Sequence, residues 1–495
     1  MDGPAGSHGI AGRPDRLGWR RDGREARMTR MTASVKVEDG RLLFDGVDVA
    51  GLAGPVDTPF FLYSEARIAA NVAAVRRAFE ARHAASRVFF AGKACSNLWF
   101  LEQVRAAGVG IEVNSGGELW KALRAGFSPD QAVFNGVAKS RRELEEAVAA
   151  GIAGVVADSL CELRRIEEVA CDLGRPAHVL PRVDVNVTGG THPGLETASG
   201  GKAGIDLGEA MEAFRLVAGS EHLELAGLHL HIGSQITEVE PYVRALGVAL
   251  DLLDEVEREF GASVPALDLG GGFAVAYRER PLRPDGDYFF TGLAVDDYAA
   301  AICAEVARRR PALELWLEPG RSIAADTGIL VTRVESEKIK RLRDQHGRIV
   351  GEDHWLLVDA GYNTFFDPVL YGWYYPLVSV SRPDAPADGS FRVAGPLCDG
   401  GDVYGGDDDT AYRRLPAATA PGDLLAFHDA GAYTLELMTP YNARPTAAAY
   451  AVTEGAEVLR IRAPQSREDL IALDEAAPLM GPPVGSLDEA PPAEA

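Results

Sequence analysis

The chain has few cysteines and no long apolar segment, and both features limit the classes of protein to which it can belong. Its five cysteines form no Cys-x-x-Cys pair and are odd in number, so we expect neither a disulfide framework nor a structural zinc site, and a reducing cytoplasm is the natural compartment. No run of about 18 apolar residues occurs, so we expect no membrane-spanning helix. The formal net charge of -23 disfavours nucleic acids and anionic membranes as partners.

The two ends of the chain lack the apolar periodicity of folded segments. Residues 1–30 are rich in Gly, Arg and Asp, and we predict a disordered leader there. An upstream extension, with the natural start at Met28 or Met31, is the alternative. Residues 471–495 contain repeated prolines and acids, and we predict a disordered tail.

Residues 64–325 alternate strand-like and helix-like segments at regular spacing. Helical patterns such as Ser140–Ala150 and Tyr242–Phe260 separate the apolar runs, and Ser140 with Glu143 has the spacing of a capping box. Eight such units predict an α/β fold, a (β/α)8 TIM-type barrel, with an open doubly wound sheet as the alternative. The predicted strands are 88–92, 109–113, 132–135, 154–157, 178–183, 225–231, 265–269 and 313–317.

Residues 326–470 have a different pattern, because strand-like runs are separated by Gly, Pro and Asp turns with little helical periodicity. This pattern predicts a C-terminal all-β domain. Residues 31–63 have the same character, so we expect N-terminal strands to complete that domain. The predicted strands are 328–335, 354–359, 376–381, 423–428, 446–452 and 456–462.

Lys93 is one of only seven lysines, and it follows the apolar run Val88–Gly92. An ammonium group is costly to bury, so a lysine at this place suggests a function. Burial lowers the pKa of a lysine and frees its amine to form a Schiff base with an aldehyde cofactor. The alternative is a lysine at the end of a strand whose ammonium simply reaches water.

Polar residues and glycines follow the other predicted barrel strands as well, at the end where barrel enzymes place their active sites. The glycines at 270–272 allow backbone N–H groups to approach a phosphate closely, although a flexible loop is the alternative for such a run. Ser234 and Arg321 follow neighbouring strands, and we expect them to complete a phosphate site.

Two histidines, His229 and His231, lie on one face of a predicted strand. A zinc ion bound by this pair would lack a third ligand nearby, so we predict no metal site. The alternative for one of the two histidines is a structural role in the core. A flat imidazole against an aromatic cofactor ring fits better with Lys93 and a phosphate site. Glu318 would pair with the protonated nitrogen of a pyridoxal ring, which serves as an electron sink.

These residues stand in motifs that recur in order along the chain. Residues of about 55–450 resemble the fold type III pyridoxal-phosphate decarboxylases, the group that contains diaminopimelate and ornithine decarboxylases. The matching segments are Ala91–Asn97, Asn114–Leu119, Gly190–Pro193, His229–Ile236, Gly270–Phe273, Glu318–Arg321, Cys398–Asp402 and Gly431–Tyr433.

The resemblance implies a role for each matching residue. Lys93 would form the Schiff base with pyridoxal 5'-phosphate, His231 would stack on its ring and Glu318 would hold the ring nitrogen. Family enzymes are homodimers with shared active sites, so Cys398 would enter the partner's site and donate a proton to the α-carbon. The phosphate would be held by Ser234, Gly271, Gly272, Arg321 and Tyr433.

The sequence departs from the diaminopimelate decarboxylases at Asp367, where those enzymes have an arginine that binds a substrate carboxylate. Loss of such an arginine costs roughly 2–5 kcal/mol in a buried site, and an acid adds repulsion. Asp367 and Asp399 therefore suit a distal ammonium better. The alternative is that Asp367 points to solvent while Arg321 or another arginine binds the carboxylate. The expected substrate-binding residues are Arg321, Asp367, Tyr371, Asp399 and Tyr433.

The sequence thus predicts a cytoplasmic, homodimeric α-decarboxylase of a diamino acid that depends on pyridoxal phosphate. Conversion of meso-diaminopimelate to L-lysine is the first expectation. A decarboxylase of ornithine, lysine or a diamino acid of secondary metabolism is the close alternative, which Asp367 and the Cys398–Asp402 segment favour. A barrel-fold amino-acid racemase is a further alternative, which would exchange the α-hydrogen without releasing carbon dioxide.

Overall fold

A computed structural model describes residues 32–474, apart from residues 192, 196, 198–199, 262, 284–286 and 409. The predicted leader at 1–30 and the tail from residue 475 onward lie outside the described residues, as does His192 of the Gly190–Pro193 motif.

The N-terminal segment supplies two separate structures. The first three strands form a small antiparallel sheet in the order β1–β2–β3, and the fourth strand leaves it. All five residues of this fourth strand are buried, and its last residue, Ser64, caps the following helix by accepting a hydrogen bond from Arg67 N. The elements are β1 Val35–Glu38, β2 Arg41–Phe44, β3 Val47–Asp48, α1 Val49–Leu52 and β4 Phe60–Ser64.

The next part of the chain alternates helices with short, almost entirely buried strands. Its elements are α2 Glu65–Glu80, β5 Ser86–Ala91, α3 Leu98–Ala106, β6 Gly110–Val113, α4 Gly116–Arg124, β7 Ala132–Phe134, α5 Arg141–Ala150, β8 Gly154–Ala157, α6 Leu160–Leu173, β9 Ala177–Pro181, β10 Val183–Asp184, β11 Ile205–Asp206, α7 Ala210–Gly219, β12 Leu223–Leu225, β13 Leu228–His229, α8 Glu240–Phe260, β14 Ala266–Asp268, α9 Val295–Arg309 and β15 Glu314–Leu317.

The parallel sheet built by these strands closes into a barrel. Its order is β12–β9–β8–β7–β6–β5–β15–β14–β13, and a parallel bridge between Arg182, which directly follows β9, and His229 of β13 closes the ring. Because β12 and β13 are two halves of one interrupted strand, the described part of the chain forms an eight-stranded barrel. The predicted (β/α)8 barrel is therefore confirmed, and the open doubly wound sheet is excluded.

The prediction of one continuous strand over 225–231 is wrong, since the strand is broken between Leu225 and Leu228. Gly227 explains the break, because a Cβ there would lie 2.6 Å from Ala266 O. The backbone passes too close to β14 at this point to keep a regular ladder.

Local sequence signals mark both ends of α5 correctly. The capping box is present at α5: Ser140 Oγ accepts a hydrogen bond from Glu143 N at 3.3 Å, and Glu143 Oε2 accepts one from Ser140 N at 2.8 Å. The helix ends at Ala150, and Gly151 follows with φ of 70°. A left-handed residue of this kind is a common helix stop.

The C-terminal part of the chain is mostly β structure, as predicted. Strand β4 joins it, pairing antiparallel with β16 and parallel with β23, so the N-terminal segment completes this domain. The longest path through its sheet runs β20–β19–β17–β16–β4–β23–β24. The elements are α10 Arg321–Ala324, β16 Gly328–Arg343, β17 Ile349–Val358, α11 Asp367–Leu370, β18 Leu377–Ser379, β19 Gly389–Ala394, β20 Val403–Tyr404, β21 Arg413–Leu415, β22 Leu424–Phe427, β23 Ala448–Val452, β24 Val458–Arg462 and α12 Arg467–Ile471.

Within the described ranges, no helix combines the length and the apolar character that crossing a bilayer requires.

Candidate active site

One cavity collects residues that follow four barrel strands together with a residue of the C-terminal domain. Lys93 follows β5, His231 and Ser234 follow β13, the glycines follow β14, and Glu318 and Arg321 follow β15. Tyr433 comes from the loop after β22. All eight residues predicted to hold the cofactor line this cavity: Lys93, His231, Ser234, Gly271, Gly272, Glu318, Arg321 and Tyr433.

Lys93 lies in a 3-10 turn, Gly92–Ala94, directly after β5. Its Nζ lies 3.7 Å from Glu112 Oε2, and its side chain is 39% exposed. Burial alone would lower the pKa of Lys93, but attraction to negative groups, Glu112 foremost, outweighs it and raises the pKa above its usual value. The expectation that burial lowers the pKa of Lys93 is therefore wrong, because the carboxylate of Glu112 lies beside its amine.

Glu112 is a residue of the site that the sequence reasoning missed. It lies in β6, and its side chain is fully buried. Burial raises its pKa to about 8, although attraction to Lys93 opposes this rise. The sequence did contain a sign of this residue, because Glu112 is an acid within the otherwise apolar run 109–113. Its role became clear only when the structure showed Lys93 beside it.

Glu318 follows β15 and has two carboxylate oxygens in different situations. Oε2 accepts a hydrogen bond from His229 Nε2 at 3.3 Å, whereas Oε1 is buried and has no hydrogen-bond partner among the described residues. Burial opposes ionisation of Glu318, but attraction to His229 and Lys93 outweighs it and holds the pKa at about 2. Glu318 is thus ionised at neutral pH and has one oxygen available to a cationic N–H donor.

A second acid lies behind Glu318. Asp268, the last residue of β14, is fully buried, and burial and the neighbouring charge of Glu318 raise its pKa well above the usual value. Potential ligand atoms of His229, Asp268 and Glu318 all lie within 4.8 Å of one another. The premise that no third ligand lies near His229 is therefore wrong. We interpret the three groups as a polar network. His229 is hydrogen-bonded to Glu318, and Asp268 accepts a hydrogen bond from Gly270 N at 2.9 Å.

The two histidines occupy different places. His229 is completely buried in the network below the cavity, while His231 lines the cavity itself. His231 Nδ1 accepts a hydrogen bond from Gly271 N at 3.4 Å. Burial and the charge of Lys93 hold the pKa of His231 well below its usual value, so its ring is neutral. A neutral ring is suited to lie flat against another aromatic ring.

The structure brings together the residues that the sequence predicts to bind an anion, namely the glycine loop and its neighbours. A Cβ at Gly271 would lie 2.2 Å from Glu318 O, and one at Gly272 would lie 2.3 Å from Gly233 O, so no side chain fits at either position. Arg321 Nε donates to Ser234 Oγ at 3.4 Å, and its guanidinium carbon lies 4.6 Å from the centre of the Tyr433 ring. Backbone amides, a hydroxyl group and a guanidinium are the donors that a phosphate requires.

Asp367 begins α11, and its side chain is buried. Tyr375 donates its hydroxyl to Asp367 Oδ2 at 3.0 Å, while Oδ1 is buried with no hydrogen-bond partner among the described residues. Burial raises the pKa of Asp367 to about 6, and the positive charge of Arg321 opposes this rise. The alternative in which Asp367 points to solvent is therefore wrong. Tyr371, at the end of the same helix, is half-buried near it.

Cys398 and Asp399 lie outside the described lining of the cavity in their own chain. Cys398 is exposed, and its backbone N–H donates to Asn442 Oδ1 at 2.9 Å. Asp399 Oδ2 accepts a hydrogen bond from the hydroxyl of Tyr362 at 3.0 Å, and that ring stacks on Tyr441. The loop is thus well anchored on the outside of the C-terminal domain.

Pyridoxal phosphate fits this arrangement at three points. The free buried oxygen of Glu318 matches the ring N–H, the glycine loop matches the phosphate, and the amine of Lys93 matches the aldehyde. These points are separate in sequence and meet in one cavity.

Comparison with known proteins gives the same family. Residues 65–325 match the family model described as pyridoxal-dependent decarboxylase, pyridoxal binding domain. The chain is 34% identical over 438 residues to the diaminopimelate decarboxylase of Archaeoglobus fulgidus, covering 88% of this chain and 96% of that protein. The corresponding enzyme of Pseudomonas aeruginosa is 35% identical over 441 residues, covering 89% and 98%.

Solved structures agree with the sequence comparison. The diaminopimelate decarboxylase of M. jannaschii has a TM-score of 0.80 at 31% identity, covering 90% of this chain and 99% of that one. The Helicobacter pylori enzyme, complexed with L-lysine, has a TM-score of 0.76 at 31% identity, covering 86% and 99%. This chain belongs to the pyridoxal-dependent decarboxylases, carboxy-lyases that use pyridoxal phosphate.

Proposed function

We propose that this decarboxylase removes the α-carboxylate of a diamino acid, with meso-diaminopimelate as the first candidate and L-lysine and carbon dioxide as products. The named relatives support this choice, since those at about 34% identity are diaminopimelate decarboxylases and one related structure holds L-lysine. The free oxygen of Glu318 in a cavity with Lys93 is the observation that carries the reaction type.

The residues of the cavity have separate tasks in this proposal. Lys93 would hold the cofactor aldehyde through its amine. Glu318 would keep the ring nitrogen protonated and His231 would lie against the ring. The phosphate would be held by Ser234, Gly271, Gly272, Arg321 and Tyr433, all of which line the cavity. When bound, the cofactor supplies an acceptor for the electrons left on the α-carbon after carbon dioxide departs.

The final proton is proposed to come from a second copy of the chain. Cys398 is exposed and lies outside the described lining of its own cavity, so it suits a donor that serves a partner's site. We accordingly propose a homodimer with shared active sites. All five cysteines are free, which supports a reducing cytoplasm as its compartment.

A decarboxylase of lysine, ornithine or a related diamino acid is the second candidate, because Asp367 is buried beside Arg321. One of its oxygens has no hydrogen-bond partner in the described part of the chain. An ionised Asp367 would partly neutralise Arg321 and repel a distal carboxylate of diaminopimelate. It would instead attract a distal ammonium. Asp399 on the loop of the partner would add a second acid.

Carbon dioxide release from carboxyl-labelled substrates tests both candidates. Purified holoenzyme is incubated separately with diaminopimelate, lysine and ornithine, and kcat/KM is measured for each. A preference for diaminopimelate supports the first candidate, and a preference for lysine or ornithine supports the second. Release from none of the three contradicts the proposed substrate class.

The role of Lys93 is tested by absorbance. Lys93→Ala is expected to abolish the visible band of the lysine-bound cofactor, whereas Lys338→Ala, which changes an exposed lysine of β16, leaves the band intact. Persistence of the band in Lys93→Ala would show that another amine binds the cofactor.

A further inference from the structure

Glu436 lies behind the cavity, outside its described lining, in the short loop that also carries Tyr433. Its Oε1 accepts two hydrogen bonds from one residue of the barrel, from Ser96 N at 2.6 Å and from Ser96 Oγ at 3.1 Å. Ser96 lies three residues beyond Lys93 and is buried. Glu436 therefore links the loop of the lysine to the loop of the tyrosine.

A second contact joins the same two loops. Tyr433 N donates to Ala94 O at 2.7 Å, and Ala94 directly follows Lys93. Tyr433 has φ of 58°, an unfavourable value for a residue other than glycine, so its position depends on contacts of this kind. The hydrogen bonds of Glu436 lie beyond this contact and hold the pair of loops at a second point.

Burial raises the pKa of Glu436, and the hydrogen bonds from Ser96 and the charge of Lys121 oppose this rise. Lys121 of α4 donates its ammonium to Ser96 Oγ at 2.7 Å, so a cation stands on the far side of the serine. The other oxygen of Glu436, Oε2, is buried without a hydrogen-bond partner among the described residues.

We propose that Glu436 is a positioning residue that holds Lys93 and Tyr433 in register across the junction of the two domains and so sets the affinity for pyridoxal phosphate. The proposal rests on the proposed roles of Lys93 and Tyr433 in binding the cofactor. Lys93 would hold the aldehyde end of the cofactor, and Tyr433 would hold the phosphate end. Their separation is fixed by two loops that belong to different domains, and Glu436 ties these loops together.

Titration of the apoprotein with pyridoxal phosphate, followed by intrinsic fluorescence, tests the proposal. Glu436→Ala leaves the buried Ser96 N–H without its acceptor, and we expect the cofactor Kd to rise about 10- to 100-fold. Glu436→Gln keeps an acceptor oxygen at the same reach, so its Kd is expected to stay within about threefold of wild type. Glu457→Ala, which changes an exposed acid of the same domain, is the matched control.

Glu436→Asp keeps the charge but shortens the side chain by one methylene, so it covers the case in which Glu436→Ala fails to fold. We expect the aspartate variant to lose affinity as the alanine variant does. A purely structural acid would lower the melting temperature of the apoprotein without changing Kd, and that outcome overturns the proposal. Equal loss in Glu436→Gln and Glu436→Ala also overturns it, since the acceptor would not then be the determining feature.

The two proposals fail in different ways. If Lys93→Ala retains the visible band, the assignment of the cavity is wrong. If Lys93→Ala loses the band while all Glu436 variants keep the wild-type Kd, only the role of Glu436 is overturned.

Discussion

Lys93 Nζ lies 3.7 Å from Glu112 Oε2, and the carboxyl group of Glu112 is completely buried. The amine that is proposed to bind the cofactor therefore has a pKa above its usual value, because an ionised Glu112 favours the ammonium. An ammonium cannot attack an aldehyde, so Glu112 opposes binding of the cofactor until the proton of Lys93 is removed.

Glu112→Gln is accordingly expected to lower the pKa of Lys93 and to shift the pH dependence of cofactor binding toward lower pH. Each unit of pKa corresponds to about a tenfold change in the fraction of neutral amine. The rate at which the visible band appears in apoprotein mixed with pyridoxal phosphate, measured from about pH 6 to 9, reports this shift. Glu102→Gln on the exposed face of α3 serves as the control. An unchanged profile would mean that Glu112 does not govern the protonation of Lys93.

Glu318→Gln is expected to lower kcat about 100-fold or more while the protein still binds pyridoxal phosphate, because a neutral amide does not stabilise a protonated ring nitrogen. The amide keeps the shape of the side chain, so folding is preserved. Glu314→Gln, at the start of the strand that precedes Glu318, is the matched control. That carboxylate accepts a hydrogen bond from Trp316 Nε1 at 2.9 Å and lies outside the described lining. Equal kcat values in the two variants would show that Glu318 takes no part in the reaction.

The barrel and the cavity lining were predictable because both depend on regular features. Parallel strands bring their carboxyl ends to one rim, so polar residues after successive apolar runs had to meet there. Lys93, His231 and Glu318 were found in this way. The capping box at Ser140 and Glu143 marked a helix start for an equally local reason.

The remaining features depend on contacts between distant residues. The sequence alone allowed Asp367 to be either exposed or buried. In the structure the hydroxyl of Tyr375 donates a hydrogen bond to it. Glu112 and Asp268 lie within strands, where burial decides their protonation, and only three-dimensional proximity to Lys93 and Glu318 makes them informative. Strands β19 to β21 were not predicted, because they are short segments in a stretch rich in Gly, Pro and Asp.

Asp367 is expected to make stability depend on pH. Its pKa rises from 3.8 to about 6 on folding, so the folded state retains the proton more tightly. The resulting stabilisation is complete below the unfolded pKa and is lost as pH rises through about 6. The shift of about two units corresponds to at most ~3 kcal/mol.

Asp367→Asn carries no charge at any pH and can still accept the hydrogen bond from Tyr375. We expect it to melt at a higher temperature than wild type at pH 8, and the difference to shrink at pH 5. Thermal unfolding of the two apoproteins at both pH values measures this difference, with the exposed Asp384→Asn as the control. A constant difference across pH would show that Asp367 is ionised in the folded protein throughout.

The shared active site makes a prediction about mixtures of inactive variants. Lys93→Ala removes the lysine of a site, and Cys398→Ala removes the proton donor that is proposed to come from the partner. In a hybrid dimer, one site combines both substitutions and the other combines neither. If subunits exchange at random, half of the dimers are hybrids with one intact site each, so mixing equal amounts restores about one quarter of wild-type activity. Each variant incubated alone under the same exchange conditions stays inactive. If mixing restores no activity while mass spectrometry shows that hybrids have formed, Cys398 acts within its own chain or not at all, and the exposed position of its loop needs another explanation.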